Sequence, residues 1–156
     1  MKKIYCILLL LLFCNVVEAK QVNVPKGTNI EIGVKRVFCS KRIPRNYEIK
    51  AIIKDDVIIN DVIIFATNSP ATIEIGEVQK AAFSGRGAEI TLIGGLATDI
   101  NGQNHRFVLE KEFKAGNDPW LTKWIPFNKG KQVFISPADI FIVQTKRDFS
   151  FTTKNN

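Results

Sequence analysis

The sequence is poor in the residues that most often carry chemistry. It holds one histidine, His105, and three cysteines, of which Cys6 and Cys14 fall in the first nineteen residues and only Cys39 follows. A lone cysteine makes no internal disulfide, so a domain built from residue 20 onward stands on packing alone. One histidine and one cysteine offer no clustered pair at metal-ligand spacing, and no metal or cofactor is expected. Asp55-Asp56 and Asp61 lack the ligand alternation of a calcium loop and are read as turn residues. No serine stands in a nucleophile-elbow context. The glycine-rich stretch Ser84-Gly85-Arg86-Gly87 departs from the P-loop pattern. It also leads into a strand pattern rather than the helix end that would hold a phosphate. No long amphipathic helix is present. These absences weigh against an enzyme and leave a binding or structural module as the expectation.

The longest apolar run lies at the start. Lys2 and Lys3 precede Ile4 to Phe13, and Val17-Glu18-Ala19 places small residues where a signal peptidase reads them. The run ends at Asn15 and is shorter than the about 20 residues of a membrane span. Residues 1–19 therefore read as a cleaved export signal, and the mature chain is expected to carry no transmembrane span. A lipid anchor on Cys14 would call for a small residue before it, and Phe13 stands there. The expected location is the periplasm or the exterior. Without Lys2, Lys3 and Glu18, the 22 basic and 15 acidic residues become 20 and 14, a net charge of about +6. Residues 20–147 have the length of one domain with a true core, and residues 148–156 read as an edge strand or a frayed tail.

What the chain does have is β pattern. A proline-led phrase occurs three times: Pro25-Lys26-Gly27-Thr28-Asn29-Ile30-Glu31-Ile32, Ser69-Pro70-Ala71-Thr72-Ile73-Glu74-Ile75 and Ser136-Pro137-Ala138-Asp139-Ile140-Phe141-Ile142. Proline suits the entry to a strand, and isoleucines two apart share a face, so each copy is expected to lay its isoleucines on the core. A phase shift at Lys35-Arg36 predicts a bulge. Asn60-Asp61 predicts a tight hairpin between Val57-Ile58-Ile59 and Val62-Ile63-Ile64-Phe65, whose continuous apolar character predicts burial on both faces. Gly94-Gly95 predicts a sharp bend or close backbone approach, and Asn101-Gly102 a second hairpin. Asn117-Asp118-Pro119 followed by Trp120, Leu121 and Trp124 predicts one short helical insert, stopped at Pro126. The fold class is all-β: an antiparallel small barrel or sandwich of about eight to nine strands, with the bulges and glycines tilting the choice to a barrel.

Two interruptions of this pattern are the candidate contact surfaces. Lys35, Arg36, Lys41, Arg42 and Arg45, followed by Lys50 and Lys54, form a basic stretch opposed only by Glu48. Such a patch attracts an anionic envelope polymer, lipid head groups or an acidic envelope protein, or else is a solubilising face. Nucleic acid ranks behind these, since no recognition helix or aromatic single-strand platform accompanies the charge. Trp120 and Trp124 share one face of the insert, which reads either as a plug or as an aromatic platform for a sugar or a partner. Cys39, in an apolar stretch, reads as a buried inert thiol or as half of an intermolecular disulfide. The rivals to a non-enzymatic binding protein are a glycan-binding module and a small secreted hydrolase. The hydrolase would need acidic residues gathered around His105.

The repeated phrase resembles the Pro-Ala-Gly-Thr strand entries of a broad group of secreted bacterial β-domains. The resemblance runs from Val24 to Thr145 and takes in the Gly-Arg-Gly loop, the Asn-Gly hairpin and Lys129-Gly130-Lys131. More distantly, the chain is similar to the C-terminal β-barrel of the scaffold protein of type IV secretion outer-membrane complexes. It departs from the pattern where Ala71 and Ala138 replace glycine and Asp139 replaces threonine. The resemblance implies a β-barrel in the bacterial envelope and names no activity.

Overall fold

Alternation sorts the side chains of the long strands into an inner and an outer set. In β2 (Asn29–Val34) Ile30, Ile32 and Val34 are buried, and in β4 (Glu48–Ile53) Ile49, Ala51 and Ile53. Ala71, Ile73 and Ile75 of β7 (Pro70–Gln79) and Ile90, Leu92 and Ala97 of β8 (Glu89–Thr98) continue the inner set. Phe107 and Leu109 of β9 (Asn104–Lys114) and Phe141 and Val143 of β11 (Ile140–Thr145) complete it. These six strands form a closed antiparallel barrel in the order β11-β2-β4-β7-β8-β9, sealed where Gln144 and Thr145 pair with Val108 and Phe107. Each fully buried isoleucine or phenylalanine contributes about 1.5–3 kcal/mol, and this interior holds the described residues, whose one cysteine is a free thiol. The computed structural model describes residues 19–44, 47–82, 85–116 and 130–153. Among them there is no helix.

Three two-stranded ribbons close the ends. β1 (Gln21–Val24) pairs with β12 (Phe149–Thr152), and Val22, Val24 and Phe151 enter the core. At the same end β5 (Val57–Ile59) pairs with β6 (Val62–Phe65), which buries Ile64 and Phe65. The Lys20 Nζ donates to the Asn60 carbonyl at 2.6 Å, joining the two ribbons, and the Ile100 N–H donates to the Ile64 carbonyl at 3.1 Å, tying β6 to the β8–β9 turn. At the opposite end β3 (Phe38–Cys39) pairs with β10 (Phe134–Ile135).

The described residues hold twelve strands where the pattern predicts eight or nine. β1 and β12 are strands in their own right, because each buries one face against the other's end of the core. The stretch 28–39 is two strands, not one with a bulge: the chain bends at Lys35-Arg36 and β3 leaves the barrel for β10. The Asn60-Asp61 hairpin is present, with φ of 51° and 62° at its two central residues, the primed-turn signature. Its expected burial on both faces fails. Ile58 is 58% and Ile63 39% exposed, because this ribbon caps the barrel instead of lying inside a sheet. The helical insert expected around Trp120 lies outside the described residues.

The third copy of the proline phrase is also out of step. In β11 it is Phe141 and Val143 that face inward, while Ile140 and Ile142 face out. Pro70 is already in strand β7, whereas Pro137 sits in a turn where the Asp139 N–H donates to the Ser136 carbonyl at 3.0 Å. The Asp139 carboxylate accepts from the Ser136 N–H at 2.7 Å in return. The strand then starts at Ile140, and the parity of every following side chain is reversed.

Gly94 and Gly95 are where β7, β8 and β9 approach most closely. Gly94 has φ +151°, and a β-carbon on Gly95 would stand 1.9 Å from the Thr72 carbonyl oxygen and 2.6 Å from the Phe107 ring. Register shifts between Glu74 and Ile75 and between Leu92 and Gly94 accompany this bend. Gly95→Ala is therefore expected to destabilise the fold by about 1–3 kcal/mol in a urea titration. Gly116→Ala, which meets nothing within 4 Å, should leave the midpoint in place. A second expectation concerns Asp56, whose carboxylate accepts from the Thr67 N–H at 2.6 Å and the Thr67 hydroxyl at 2.7 Å. These bonds hold its carboxyl below the ordinary value of 3.8. A carboxyl lowered in the folded state stabilises it above the unfolded value and ceases to do so as the pH falls through the folded one. The Thr67 amide resonance should accordingly titrate with a midpoint below 3.8.

Candidate functional site

The β3–β10 end is assembled from loops that are pinned from beneath. Ser40 is fully buried; its N–H donates to the Val133 carbonyl at 3.0 Å and its hydroxyl to Gln132 Oε1 at 2.7 Å, and it accepts from the Val133 N–H at 3.1 Å. The Arg42 N–H closes a turn on the Cys39 carbonyl at 3.0 Å, and Ile43 drops into the core. With Ser40 and Ile43 held inside, Lys41 and Arg42 between them have only the outside to occupy. The glycines of the neighbouring loops serve the same packing. A β-carbon on Gly87 would stand 2.0 Å from the Ala115 carbonyl oxygen, and one on Gly130 would stand 1.8 Å from that of Arg86. The Gly85-Arg86-Gly87 stretch is thus where three chain passes touch. Its physical role is close packing.

Arg36, Lys41 and Arg42 border one open cleft of about 640 Å³, together with Phe38, Cys39, Tyr47 and Phe134. Phe134 is 61% exposed and Tyr47 39%. Phe38 and Tyr47 lean together with ring centroids 6.5 Å apart at 52°. A second recess, about 550 Å³, shares Lys41, Gln132 and Phe134 and adds Gly130 and Lys131. Among the described residues, Arg36, Lys41 and Arg42 have no carboxylate partner. Unpaired cations beside exposed ring faces suit an anion that carries apolar or flat surface, since guanidinium groups both pair with oxyanions and stack on rings.

Of the basic residues singled out in the sequence, the structure brings Arg36, Lys41 and Arg42 to this cleft. Lys35 lies exposed at the end of β2 and does not line it, and Arg45 falls outside the described residues, as do Trp120 and Trp124. The aromatic partners were not legible as such. Phe134 sits in the alternation Val133-Phe134-Ile135, which shows a strand but not which face of it meets the core. Cys39 is a free thiol, half-buried at the cleft wall, so it is neither fully enclosed nor engaged in the described chain.

His105 lies at the opposite end. Its Nε2 is 2.8 Å from Asp99 Oδ2, its ring is stacked on Phe149 at 3.7 Å and 21°, and Phe65 meets it edge-on at 5.7 Å. Asp99 is buried, and its other oxygen accepts from the Asn101 and Gln103 N–H groups, both at 2.8 Å. An acidic residue has therefore gathered at His105, the arrangement a hydrolase would need. Both oxygens of that acid are engaged, however, and the imidazole's hydrogen bond among the described residues is to Asp99 alone. Cys39 is at the other end of the barrel, which removes a Cys39–His105 dyad. The Asp99–His105 pair is a lock on the β8–β9 turn: the carboxylate caps two turn amides, and the imidazole satisfies the buried charge.

Among the described residues no helix is long and apolar enough to cross a membrane, and no three metal-ligating side chains cluster. No family model, no curated protein and no solved structure matches the chain.

The lock makes a quantitative claim. His105→Leu, which leaves a buried acceptor without its donor, is expected to cost about 1–3 kcal/mol. Asp99→Ala should cost more than His105→Leu, since two turn amides lose their acceptor as well. Urea denaturation of the two variants at neutral pH decides the order.

Proposed function

We propose that the protein is an exported, non-enzymatic component of the bacterial envelope that binds an anionic partner through the cleft at the β3–β10 end. The observation that carries this reading is the convergence of Arg36, Lys41 and Arg42, without carboxylate partners among the described residues, around exposed Phe134 and Tyr47. A merely solubilising face scatters its charges and keeps its aromatics inside. Here the two are interleaved over a cleft wide enough for a polymer segment. An anionic envelope polymer or an acidic envelope protein fits this chemistry, and nucleic acid fits it less well, since the exposed rings stand at one spot and form no track for successive bases.

Export is supported by Lys2 and Lys3, the apolar run from Ile4 to Phe13 and the small residues Val17 and Ala19. The likeness of the strand entries to those of secreted bacterial β-domains favours the same compartment. A binding role is also what a chain with a single histidine and a single mature cysteine is best equipped for. In this reading the barrel is the rigid support that holds the loop cations in place.

The test is calorimetric titration of the mature chain with a purified anionic cell-wall glycan, with duplex DNA as the comparison. Affinity is expected to fall as salt rises from about 0.05 to about 0.5 M, because exposed charge contacts are screened over about 10 Å at the lower end of physiological salt. The triple variant Arg36→Gln, Lys41→Gln, Arg42→Gln should bind at least about tenfold more weakly, equivalent to about 1.4 kcal/mol. Phe134→Ala should weaken binding without changing its salt dependence. Unaltered affinity in both variants would sink the reading.

A further inference from the structure

A second cleft, of about 460 Å³, lies at the other end of the barrel, between the start of β9 and the turn that joins β11 to β12. Its wall is made by His105, Arg106, Lys146, Arg147 and Phe149, with Asn104 and Asp148 at the edges. The Lys146 N–H donates to the Arg106 carbonyl at 2.9 Å, so the two cation-bearing segments are fixed side by side by backbone. Three carboxylates stand near this charge, and Asp99 is buried and bonded to His105 and two turn amides. Asp148, at the edge of the cleft, accepts from the Lys26 N–H through Oδ1 and offsets part of the positive charge. Glu74 reaches only Arg106, at 3.8 Å and with the guanidinium largely in solvent. Lys146 and Arg147 have no carboxylate partner among the described residues.

We propose that this cleft is a binding site for a phosphoryl group. Three cations from two adjacent segments and the His105 ring border one space. The ring's orientation is not free to drift: Asp99 holds Nε2, and Phe149 and Phe65 hold the ring. That leaves Nδ1 as the nitrogen able to meet a ligand. The Asp99 carboxylate, which also accepts from two turn amides, favours the tautomer in which Nε2 donates, and Nδ1 of that tautomer is an acceptor. A phosphoryl group that retains one proton can donate to that acceptor while its remaining oxygens take the guanidinium and ammonium donors. Sulfate has no such proton at about pH 6, where about half of a phosphate monoester retains one, and a flat carboxylate has too few oxygens for three cations. The space exceeds a bare phosphate, so the organic part of a phosphate monoester can be accommodated. A free phosphate ester and a phosphorylated lipid head group present the same chemistry. The site is independent of the β3–β10 cleft, which lies at the far end of the barrel.

The chain's one histidine makes the site directly observable, because a single imidazole gives a single set of ring resonances. The full mature chain is titrated, at constant ionic strength, with inorganic phosphate, glucose phosphate and sulfate. A parallel arm uses vesicles of phosphatidylcholine with and without phosphatidic acid. The expected result is a saturable shift of the His105 ring signals with the phosphoryl probes, weakened about tenfold in Arg106→Gln/Arg147→Gln. The triple variant Arg36→Gln, Lys41→Gln, Arg42→Gln should titrate like the unaltered chain. Both substituted arginines are exposed, and an unchanged amide spectrum verifies that the double variant is folded. A response confined to the phosphatidic acid vesicles supports the site and assigns the source to a lipid; a response to the soluble probes supports it and assigns a free ester. A shift that sulfate reproduces equally, or one the double variant retains, overturns the proposal, as does no saturable response to any phosphoryl probe.

Discussion

The structure depends on three backbones coming closer together at Gly94 and Gly95 than any side chain would permit. With the Thr72 carbonyl oxygen 1.9 Å from where a β-carbon would sit on Gly95, β7 and β8 can bend around the interior instead of continuing as a flat sheet. The flanking register shifts let the inner set of side chains keep facing the core through the bend. From that curvature follows the meeting of β9 and β11, and with it a sheet without an edge among its six strands. A closed sheet needs its two ends filled, and the three ribbons do this with Val22, Val24, Ile64, Phe65, Phe151 and Ile135. Among the described residues no disulfide supports the arrangement, so interior packing and closure have to act together.

Closure also sorts the chemistry. The barrel interior is lined mainly by apolar side chains, and the two clefts lie in the connections at either end. At one end Ser40 and Ile43 anchor a loop so that its cations project beside exposed rings. At the other a buried carboxylate fixes the β8–β9 turn and, through it, the position of the imidazole. Both devices use a buried polar atom whose bonds are fully satisfied to hold a nearby charged group in place. The cost of burying the polar atom is met by backbone amides, which are available only where strands end.

The parts of this that were legible in the sequence are those written locally. The strand pattern, the antiparallel class, the Asn60-Asp61 hairpin and the bend at Gly94-Gly95 are set by side-chain alternation and by residues that tolerate positive φ. What was not legible is set by parity and by partners distant in the chain. Ile140 and Ile142 look like Ile73 and Ile75 by their spacing from proline, yet one extra turn residue sends them outward. The pairing of Phe38-Cys39 with Phe134-Ile135 joins segments nearly a hundred residues apart, so neither the split of the first strand nor the exposure of Phe134 could be read from its neighbours. For the same reason the basic stretch was visible as a charge run, while the rings interleaved with it were not. His105 was visible only as a lone residue, and Asp99 became its partner because the Asn101-Gly102 hairpin folds the two strands back on each other.

The central claim is that the six strands close. It is tested most directly by interstrand nuclear Overhauser contacts between the seam residues, Phe107 with Thr145 and Val108 with Gln144, in the isotopically labelled protein. The account predicts cross-strand backbone contacts at this seam as strong as those between β8 and β9, with slow exchange of the amides that join them. Strong β8–β9 contacts with none between β9 and β11 would mean an open sheet with two free edges, and would contradict it.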